Sequence, residues 1–232
     1  MNVLIFGATG MIGQGVLREC LLDPGVRSVV SIGRSATVGR SASGVSNLKL
    51  HEIVHADLTD YLTIESQLAG FNACFFCLGI SSAGLTEEEY SRITYDITLR
   101  AAETLARLNI GMTFVYVSGA GTDSTEHGRT MWARVKGRTE NALLRLPFKA
   151  AFMFRPGIIV PRFGARSKTT SYRILYTLSR PVLPLLRRAF PNQVLTTDEI
   201  GRAMLTVARY GAPKPVLETS DIRLLLTRNA TG

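Results

Sequence analysis

The sequence has little of what would commit a chain to a membrane, a disulfide framework or a structural metal. No uninterrupted apolar run approaches the ~18 residues of a membrane-spanning helix. The three histidines and three cysteines form no cluster with the spacing of metal ligands, so no metal is expected. Basic and aromatic residues are not interleaved as in nucleic-acid readers, which argues against a nucleic-acid partner. These absences leave a globular protein of ordinary composition.

The cysteines indicate a reducing compartment. Cys74 and Cys77 have the CxxC spacing, but residues three apart in a strand point to opposite faces of the sheet, so the two thiols diverge. Cys20 lies alone in a segment with helical periodicity. We therefore predict three buried core thiols and a cytoplasmic protein.

Short apolar runs alternate with amphipathic segments over the first 160 residues. Strands buried on both faces of a parallel sheet read as continuous apolar runs, and strand–helix–strand alternation produces right-handed crossovers. The sequence thus predicts an α/β fold with a doubly wound parallel sheet. Its strands are predicted at 2–6, 26–32, 50–54, 73–78, 112–117 and 151–154. Its helices are predicted at 12–22, 62–68, 87–107 and 130–146.

The pattern changes near Pro156. The remainder reads as loops and helices, including a helix at 197–210, with short strands at most. We expect a single domain over 1–232, in which residues 1–160 form the core and residues 161–232 form a small, mostly helical subregion. That subregion is expected to lie over the edge of the sheet and to cover a substrate site.

A glycine loop follows the first strand directly. Gly7, Gly10 and Gly13 form a GxxGxxG motif at a strand-to-helix turn, with Thr9, Met11 and Ile12 between them. Glycine allows a sharp turn and a close approach of pyrophosphate to backbone N–H groups, and the following helix directs its positive end at the phosphates. Because the motif lies inside a strand–helix–strand unit, it predicts a dinucleotide-binding fold of the Rossmann type.

The end of the second strand bears on which dinucleotide is bound. Arg34 and Ser35 follow Gly33, and no acidic residue occurs between positions 24 and 51. Folds that take NAD(H) usually carry an acid here for the ribose hydroxyls, whereas a guanidinium can grip a 2′-phosphate with two hydrogen bonds. We expect NADP(H) in preference to NAD(H); the alternative is that Arg34 is a solvated surface residue.

Two further runs carry a resemblance to a known family. With the run 55–58 (HADL) after the third strand and 77–79 (CLG) after the fourth, the chain resembles the short-chain dehydrogenase/reductase superfamily. Within it, the chain is similar to the atypical, NAD-dependent epimerase/dehydratase-like branch near the reductase-like Tat-interacting proteins. The resemblance covers about residues 1–160. It implies that Asp57 contacts the adenine, although Asp57 could instead cap a helix.

The resemblance also implies where the rest of the cofactor lies. Leu58 would flank the adenine, Leu78 and Gly79 would line the ribose, and the segment 155–158 would pass the nicotinamide. The cofactor-binding residues indicated by motif and resemblance together are Gly7, Thr9, Gly10, Met11, Ile12, Gly13, Arg34, Ser35, Asp57, Leu58, Leu78, Gly79, Lys136, Pro156, Gly157 and Ile158.

The catalytic set that the resemblance implies is incomplete. It comprises a Ser, a Tyr and a Lys, with the Tyr and the Lys four residues apart on one helix face. Lys136 stands at the Lys position, where it would hold the nicotinamide ribose, but Trp132 stands at the Tyr position. An indole N–H has no acid–base chemistry near neutral pH. Trp132 could stack on substrate or nicotinamide, or could simply pack.

More than one residue could therefore supply the catalytic hydroxyl and the proton donor. Ser118 matches the first of two small polar positions after the fifth strand, and Gly119 matches the second. We take Ser118 with Lys136 as the catalytic candidates. Two other hydroxyls could replace that of Ser118, namely those of Thr122 and Ser124. Three side chains are candidate proton donors in place of the missing Tyr, namely Tyr95, His127 and Tyr172.

The charge of the chain is concentrated in one segment. Residues 141–197 contain ten basic and no acidic residues, whereas the whole chain carries a net charge of +9. Three interpretations compete: a solvated face with cofactor-phosphate neighbours, an anionic-substrate site under a lid, and a contact with a membrane surface or protein through 162–190. The ten basic residues are Arg145, Lys149, Arg155, Arg162, Arg166, Lys168, Arg173, Arg180, Arg187 and Arg188.

Two functions follow from these patterns. The first is an NADP(H)-binding reductase-like protein, an oxidoreductase or epimerase-like enzyme on a small carbonyl or alcohol. The second is a non-catalytic NADP(H)-binding sensor or scaffold, which the loss of the Tyr motivates. Fold alone does not separate them, since one scaffold hosts many functions. The sequence fixes neither the substrate nor the oligomeric state.

Overall fold

A computed structural model describes residues 1–36, 48–165 and 193–227 of the chain. Strands and helices alternate through these residues. The strands are β1 (Asn2–Phe6), β2 (Ser28–Gly33), β3 (Leu50–Val54), β4 (Ala73–Phe76), β5 (Thr113–Val117), β6 (Ala150–Arg155), β7 (Ile158–Val160), β8 (Val194–Thr196) and β9 (Val216–Glu218). The α-helices are α1 (Met11–Leu22), α2 (Glu87–Ser91), α3 (Ile97–Leu108), α4 (Met131–Leu144), α5 (Thr197–Tyr210) and α6 (Thr219–Thr227). A 3₁₀ helix occupies Leu62–Leu68.

Seven of the strands form one parallel sheet. Their order is β3-β2-β1-β4-β5-β6-β9, and every pairing between neighbours is parallel. The chain leaves β1 toward one edge and returns to the other side of β1 at β4, so the direction of winding reverses between these two strands. Ligands of doubly wound folds bind beyond the carboxyl ends of the strands at such a reversal. The predicted Rossmann-type fold class is confirmed.

The core lies on both faces of the sheet. Within β1, Val3 and Ile5 face one hydrophobic cluster with α1, α5 and α6, whereas Leu4 and Phe6 face a second cluster with α3 and the 3₁₀ helix. All four side chains are fully buried. This two-sided burial explains why the strands read as continuous apolar runs in the sequence.

Two of the three predicted core thiols are fully buried, whereas Cys77 lies at the surface of a cavity described below. Cys74 and Cys20 are fully buried on opposite faces of the sheet, and Cys77 is half-buried. All three are free thiols, and Cys77 packs toward the face opposite to that of Cys74. The expectation that the CxxC pair diverges is confirmed.

The predicted helix at 87–107 is interrupted. Thr86 caps its start, because Thr86 Oγ1 accepts from Glu89 N at 3.3 Å and Glu89 Oε2 accepts from Thr86 N at 2.8 Å. A π-helical turn at Arg92–Asp96 then separates α2 from α3. The inserted turn shifts the register of the two halves, which periodicity within a single window does not reveal.

The C-terminal segment contributes more to the sheet than its sequence indicated. β9 adds to the edge of the large sheet beside β6, and β7 pairs with β8 in a separate two-stranded sheet. α5 packs lengthwise on α1. The basic stretch from Arg166 to Arg188, with Tyr172, lies outside the described residues.

Two glycines allow the close approach of α1 and α5. A Cβ at Gly15 would lie 2.5 Å from both the Cβ and the carbonyl oxygen of Thr197, and a Cβ at Gly201 would lie 2.9 Å from Glu19 Cγ. A capping box of Thr196 and Glu199 begins α5 at this contact.

Among the helices of the described residues, none is both long enough and apolar enough to cross a bilayer.

We expect Gly15→Ala to destabilise the fold, because the added methyl group meets the backbone of Thr197 and forces the two helices apart. The expected loss is about 1–3 kcal/mol in the free energy of unfolding, measured by urea titration. Gly111→Ala is the matched control, since a Cβ there meets nothing within 4 Å. Equal unfolding midpoints for the two variants would contradict the tight crossing.

Candidate functional site

A cavity of about 610 Å³ opens at the carboxyl edge of the sheet, where β1, β4, β5 and β6 end. Its size is within the range of small-molecule and cofactor sites. The loops after these four strands and two helices, α1 and α4, contribute its surface. The lining residues are Gly10, Met11, Ile12, Cys77, Leu78, Gly79, Ile80, Ser81, Val117, Ser118, Gly119, Ala120, Lys136, Pro156, Gly157 and Ile159.

The glycine loop forms the floor of this cavity. Gly7 has φ +78°, and a Cβ there would lie 2.6 Å from Leu78 N. A Cβ at Gly13 would lie 2.1 Å from the carbonyl oxygen of Gly7, so neither position admits a side chain. Gly10 N donates to Gly7 O at 2.9 Å, which turns the chain into α1. The N-terminus of α1 then faces the cavity through Gly10, Met11 and Ile12, an arrangement that fits a pyrophosphate.

The structure brings half of the predicted cofactor residues to the cavity surface. Gly7 and Gly13 lie beneath it, where they set the backbone path, and Thr9 is in the turn between them. Ile158 is 38% exposed and lies outside the cavity, and Ile159 lines it instead. The predicted residues that line the cavity are Gly10, Met11, Ile12, Leu78, Gly79, Lys136, Pro156 and Gly157.

The predicted adenosine-binding residues lie beside the cavity. Phe6 pairs with Ile32, so Arg34 and Ser35 leave β2 at the same edge as the glycine loop, and both are exposed. Within the described part of the chain, no hydrogen bond or ion pair engages the Arg34 side chain. The position therefore leaves the guanidinium accessible to a ligand.

Asp57 and Leu58 differ from each other in what they offer. Asp57 Oδ1 accepts from Thr59 N at 2.8 Å and from Thr59 Oγ1 at 2.6 Å, and these bonds lower the pKa of Asp57. The carboxylate thus stabilises a local turn, a role similar to the helix cap that is the alternative to adenine binding. Asp57 itself is exposed. Leu58 is 4% exposed and packs in the core beside the exposed Asp57, so that its role toward an adenine stays a prediction.

Lys136 reaches the opposite end of the cavity. Its Nζ donates to Ser118 O at 2.5 Å, across from the glycine loop. Burial lowers the pKa of Lys136 to about 8, although the nearby Glu140 carboxylate acts in the opposite direction. The amine is therefore placed for contact with a bound molecule and changes protonation near neutral pH.

The hydroxyl of Ser118 is not available in the role expected of it. Ser118 Oγ donates to Glu140 Oε1 at 2.5 Å and lies in a buried position. Thr122 Oγ1 donates to Gly119 O at 2.8 Å, and Ser124 Oγ accepts from Arg155 Nη2 at 2.5 Å. All three candidate hydroxyls thus form structural bonds, and Ser118 reaches the cavity without a free proton.

A buried ion pair that the sequence reading missed supports this wall of the cavity. Arg155 Nε lies 3.1 Å from Glu140 Oε1 and 3.2 Å from Oε2, and Nη2 forms a further bond to Oε2. Arg155 Nη1 also contacts Glu218 Oε1 at 3.3 Å, which links α4, β6 and β9. Burial opposes the charge of Arg155, but its bonds to Glu140 outweigh burial and raise its pKa.

This pair corrects the interpretation of the basic segment. Arg155 is 8% exposed and neutralised by Glu140, so it belongs neither to a solvated face nor to a phosphate site. Glu140 carried one signal in the sequence: it follows Lys136 by four residues on the same helix face. Arg145, Lys149 and Arg162, the other described basic residues of this segment, lie in exposed positions.

Trp132 packs against the loop after β5 rather than facing the cavity. Its Cη2 would lie 3.5 Å from a Cβ placed on Gly121, and Trp132 is absent from the lining residues. Two alternative proton donors are described. The Tyr95 ring stacks with the Arg138 guanidinium, whose Cζ lies 4.3 Å from the ring centroid, and His127 is exposed on a loop. Neither of them lines the cavity.

We expect Glu140→Gln to destabilise the fold strongly, because it leaves the buried Arg155 charge without a carboxylate. Breaking such a pair costs about 3–5 kcal/mol in the free energy of unfolding. Glu103→Gln removes the exposed Arg100–Glu103 pair and is the control, with a loss of less than about 1 kcal/mol. Urea titration of both variants measures the difference. Losses of similar size would show that Glu140 has no special role.

Known proteins resemble this chain in sequence and in structure. Protein FMP52-2, mitochondrial, of Scheffersomyces stipitis is 30% identical over 177 residues, which cover 73% of this chain and 70% of the relative. Protein fmp52, mitochondrial, of Emericella nidulans is 29% identical over 161 residues, covering 68% and 66%. DesIV, a dTDP-glucose 4,6-dehydratase of Streptomyces venezuelae, superposes with a TM-score of 0.69 at 14% identity, covering 100% of this chain and 82% of that one.

The names of these relatives correct the expected compartment. Reduced thiols predicted a cytoplasmic protein, but the relatives are named as mitochondrial proteins, so the prediction is wrong. Free thiols do not distinguish one reducing compartment from another.

The model of the NAD dependent epimerase/dehydratase family matches residues 3–130, which include the glycine loop, β4 and β5. This chain therefore belongs to the NAD-dependent epimerase/dehydratase family.

Proposed function

We propose that the cavity binds NADP(H) and that the protein is a reductase-like oxidoreductase acting on a small carbonyl or alcohol. The observation that carries the proposal is the glycine floor, where Gly7 and Gly13 leave no room for a Cβ below the N-terminus of α1. The structure of DesIV was solved with NAD bound, which supports a nicotinamide dinucleotide as the ligand class.

Each end of the cavity would hold one part of the dinucleotide. The backbone at Gly10, Met11 and Ile12 would bind the pyrophosphate. Lys136 would hydrogen-bond the nicotinamide ribose from α4, with Pro156 and Gly157 along the nicotinamide. When bound, the dinucleotide supplies or accepts the hydride. The chain itself supplies orientation and the exclusion of water.

The choice of NADP(H) over NAD(H) rests on Arg34. Its guanidinium is exposed at the end of β2, beside the glycine loop, and no acid stands at Gly33 or Ser35 to accept from ribose hydroxyls. A guanidinium matches a phosphate with two parallel hydrogen bonds. The names of the relatives further support a mitochondrial setting for this reaction.

A second candidate is a sensor or scaffold that binds NADP(H) without turning it over. Two observations favour this candidate. Trp132, at the Tyr position, packs on Gly121, and the Ser118 hydroxyl is bonded to Glu140, so neither position offers the cavity the group that the resemblance assigns to catalysis. Turnover of NADPH with a carbonyl substrate separates the two candidates.

Arg34→Ala is expected to weaken NADPH binding by about 10- to 100-fold, because charge-assisted hydrogen bonds contribute ~1.5–3 kcal/mol. NADH binding should stay unchanged, since NADH lacks the 2′-phosphate. Quenching or enhancement of nicotinamide fluorescence during titration gives both dissociation constants.

Arg100→Ala is the control for this experiment. It removes an exposed guanidinium from α3, on the other side of the sheet from the glycine loop. Equal loss of NADPH affinity in both variants would point to a general charge effect. Wild-type protein that binds neither cofactor would overturn the proposed function.

A further inference from the structure

Few of the described residues at the cavity could exchange a proton. Among those that line it, Cys77 and Lys136 are the two with titratable side chains. Burial raises the pKa of Cys77 to about 12, so the thiol keeps its proton near neutral pH. Ser81 and Ser118 bring hydroxyls, but aliphatic hydroxyls do not release a proton in this range, and that of Ser118 already donates to Glu140.

Lys136 has donors to spare at this position. An ammonium carries three N–H groups, and the bond from Nζ to Ser118 O at 2.5 Å uses one of them. The remaining N–H groups can point at a molecule in the cavity. One helical turn earlier, Trp132 lies against Gly121, so among the described residues α4 places no phenol beside Lys136 at the cavity.

We propose that Lys136 is the proton donor of carbonyl reduction in this cavity, an inference that rests on the proposed function. The carbonyl carbon gains a hydride from the dihydronicotinamide, the C=O π bond breaks, and the carbonyl oxygen takes a proton from Lys136 Nζ. The products are the alcohol, the oxidised dinucleotide and a neutral amine, which regains its proton from solvent. In alcohol oxidation the same amine accepts the hydroxyl proton.

The charges around Lys136 are consistent with this role. Glu140, on the same helix, forms a buried ion pair with Arg155 from β6. The Tyr116 ring from β5 lies 5.9 Å from Nζ, and burial raises the pKa of its phenol, so it stays neutral. Burial thus brings the pKa of Lys136 to about 8, close to the pH range in which a general acid is most effective.

Ser81 completes the arrangement as a positioning group. Its Oγ accepts from Ala83 N at 3.2 Å, which leaves the hydroxyl proton without an acceptor among the described residues. That proton can orient a carbonyl oxygen toward Lys136. Ser81 thus brings to the cavity wall a hydroxyl proton that Ser118 does not.

The test compares wild type, Lys136→Arg and the control Lys149→Arg, which alters an exposed lysine of the loop before β6. Arginine keeps the charge and the donors but does not release a proton. We expect Lys136→Arg to bind NADPH and to lose about 100-fold in NADPH oxidation with phenanthrenequinone as the probe. Lys149→Arg should match wild type in both measurements.

The pH profile has a definite sign. Reduction needs the protonated amine, so the rate should be constant at acidic pH and fall above about pH 8. A rate for Lys136→Arg equal to that of wild type would overturn the proposal, because arginine keeps the positive charge but releases no proton in this pH range. A reduction rate that rises with pH, or wild type that binds NADPH without oxidising it, would also overturn it.

A second readout needs no turnover. After isotope-labelled reductive methylation, the five lysines of the chain give separate NMR resonances. The resonance that is missing in Lys136→Arg should titrate near pH 8. Titration above about pH 10, the ordinary range of lysine, would contradict the proposal. If wild type fails to bind NADPH, the proposed function falls; if it binds but these outcomes fail, only the role of Lys136 falls.

Discussion

The cavity depends on backbone contacts that tolerate no side chain between them. At Gly7, the loop after β1 touches the start of the loop after β4. At Gly13, α1 touches the loop after β1 at the carbonyl oxygen of Gly7. Any Cβ at these two points would force α1 away from the sheet. Because the contacts are made, the N-terminus of α1 stays at the edge where β4, β5 and β6 also end. The strand order places this edge at the reversal of winding, so backbone donors and the carboxyl ends of four strands surround one space.

The opposite wall depends on a charge pair instead. Glu140 and Arg155 neutralise each other below the cavity and hold α4 against β6, and Glu218 extends the contact to β9. Removing one partner would leave a buried charge, which is why the pair is expected to matter for folding as well as for the site. Glu140 also accepts a hydrogen bond from the Ser118 hydroxyl, and this bond helps to position the Ser118 carbonyl to which Lys136 donates. Among the described residues that line the cavity, Lys136 is the one with a basic side chain.

The sequence predicted the features that local pattern controls. The strands around 2–6, 50–54 and 112–117 and the glycine loop follow from apolar runs and a motif, since burial and backbone geometry there are set within a few residues. The π-helical turn at Arg92–Asp96 and the pairing of β9 with β6 were not predictable in this way. A register shift inside a helix and a partner far along the chain leave no signal in a local window.

The candidate site divides along the same line. Gly10 and Lys136 line the cavity as the motif and the resemblance indicated. The hydrogen bond from Ser118 to Glu140 and the burial of Arg155 depend instead on contacts between distant segments. A serine after a strand looks the same in the sequence whether its hydroxyl faces a ligand or a buried carboxylate. Arg155 likewise looks like a surface charge in the sequence, because its partner Glu140 lies on another element.

A crystal structure of the protein with NADP⁺ tests the central claim most directly. The account predicts the pyrophosphate on the backbone N–H groups at Gly10–Ile12, the 2′-phosphate on Arg34, and the nicotinamide ribose within hydrogen-bond distance of Lys136. A dinucleotide bound elsewhere, or one whose 2′-phosphate points away from Arg34 into solvent, would contradict it.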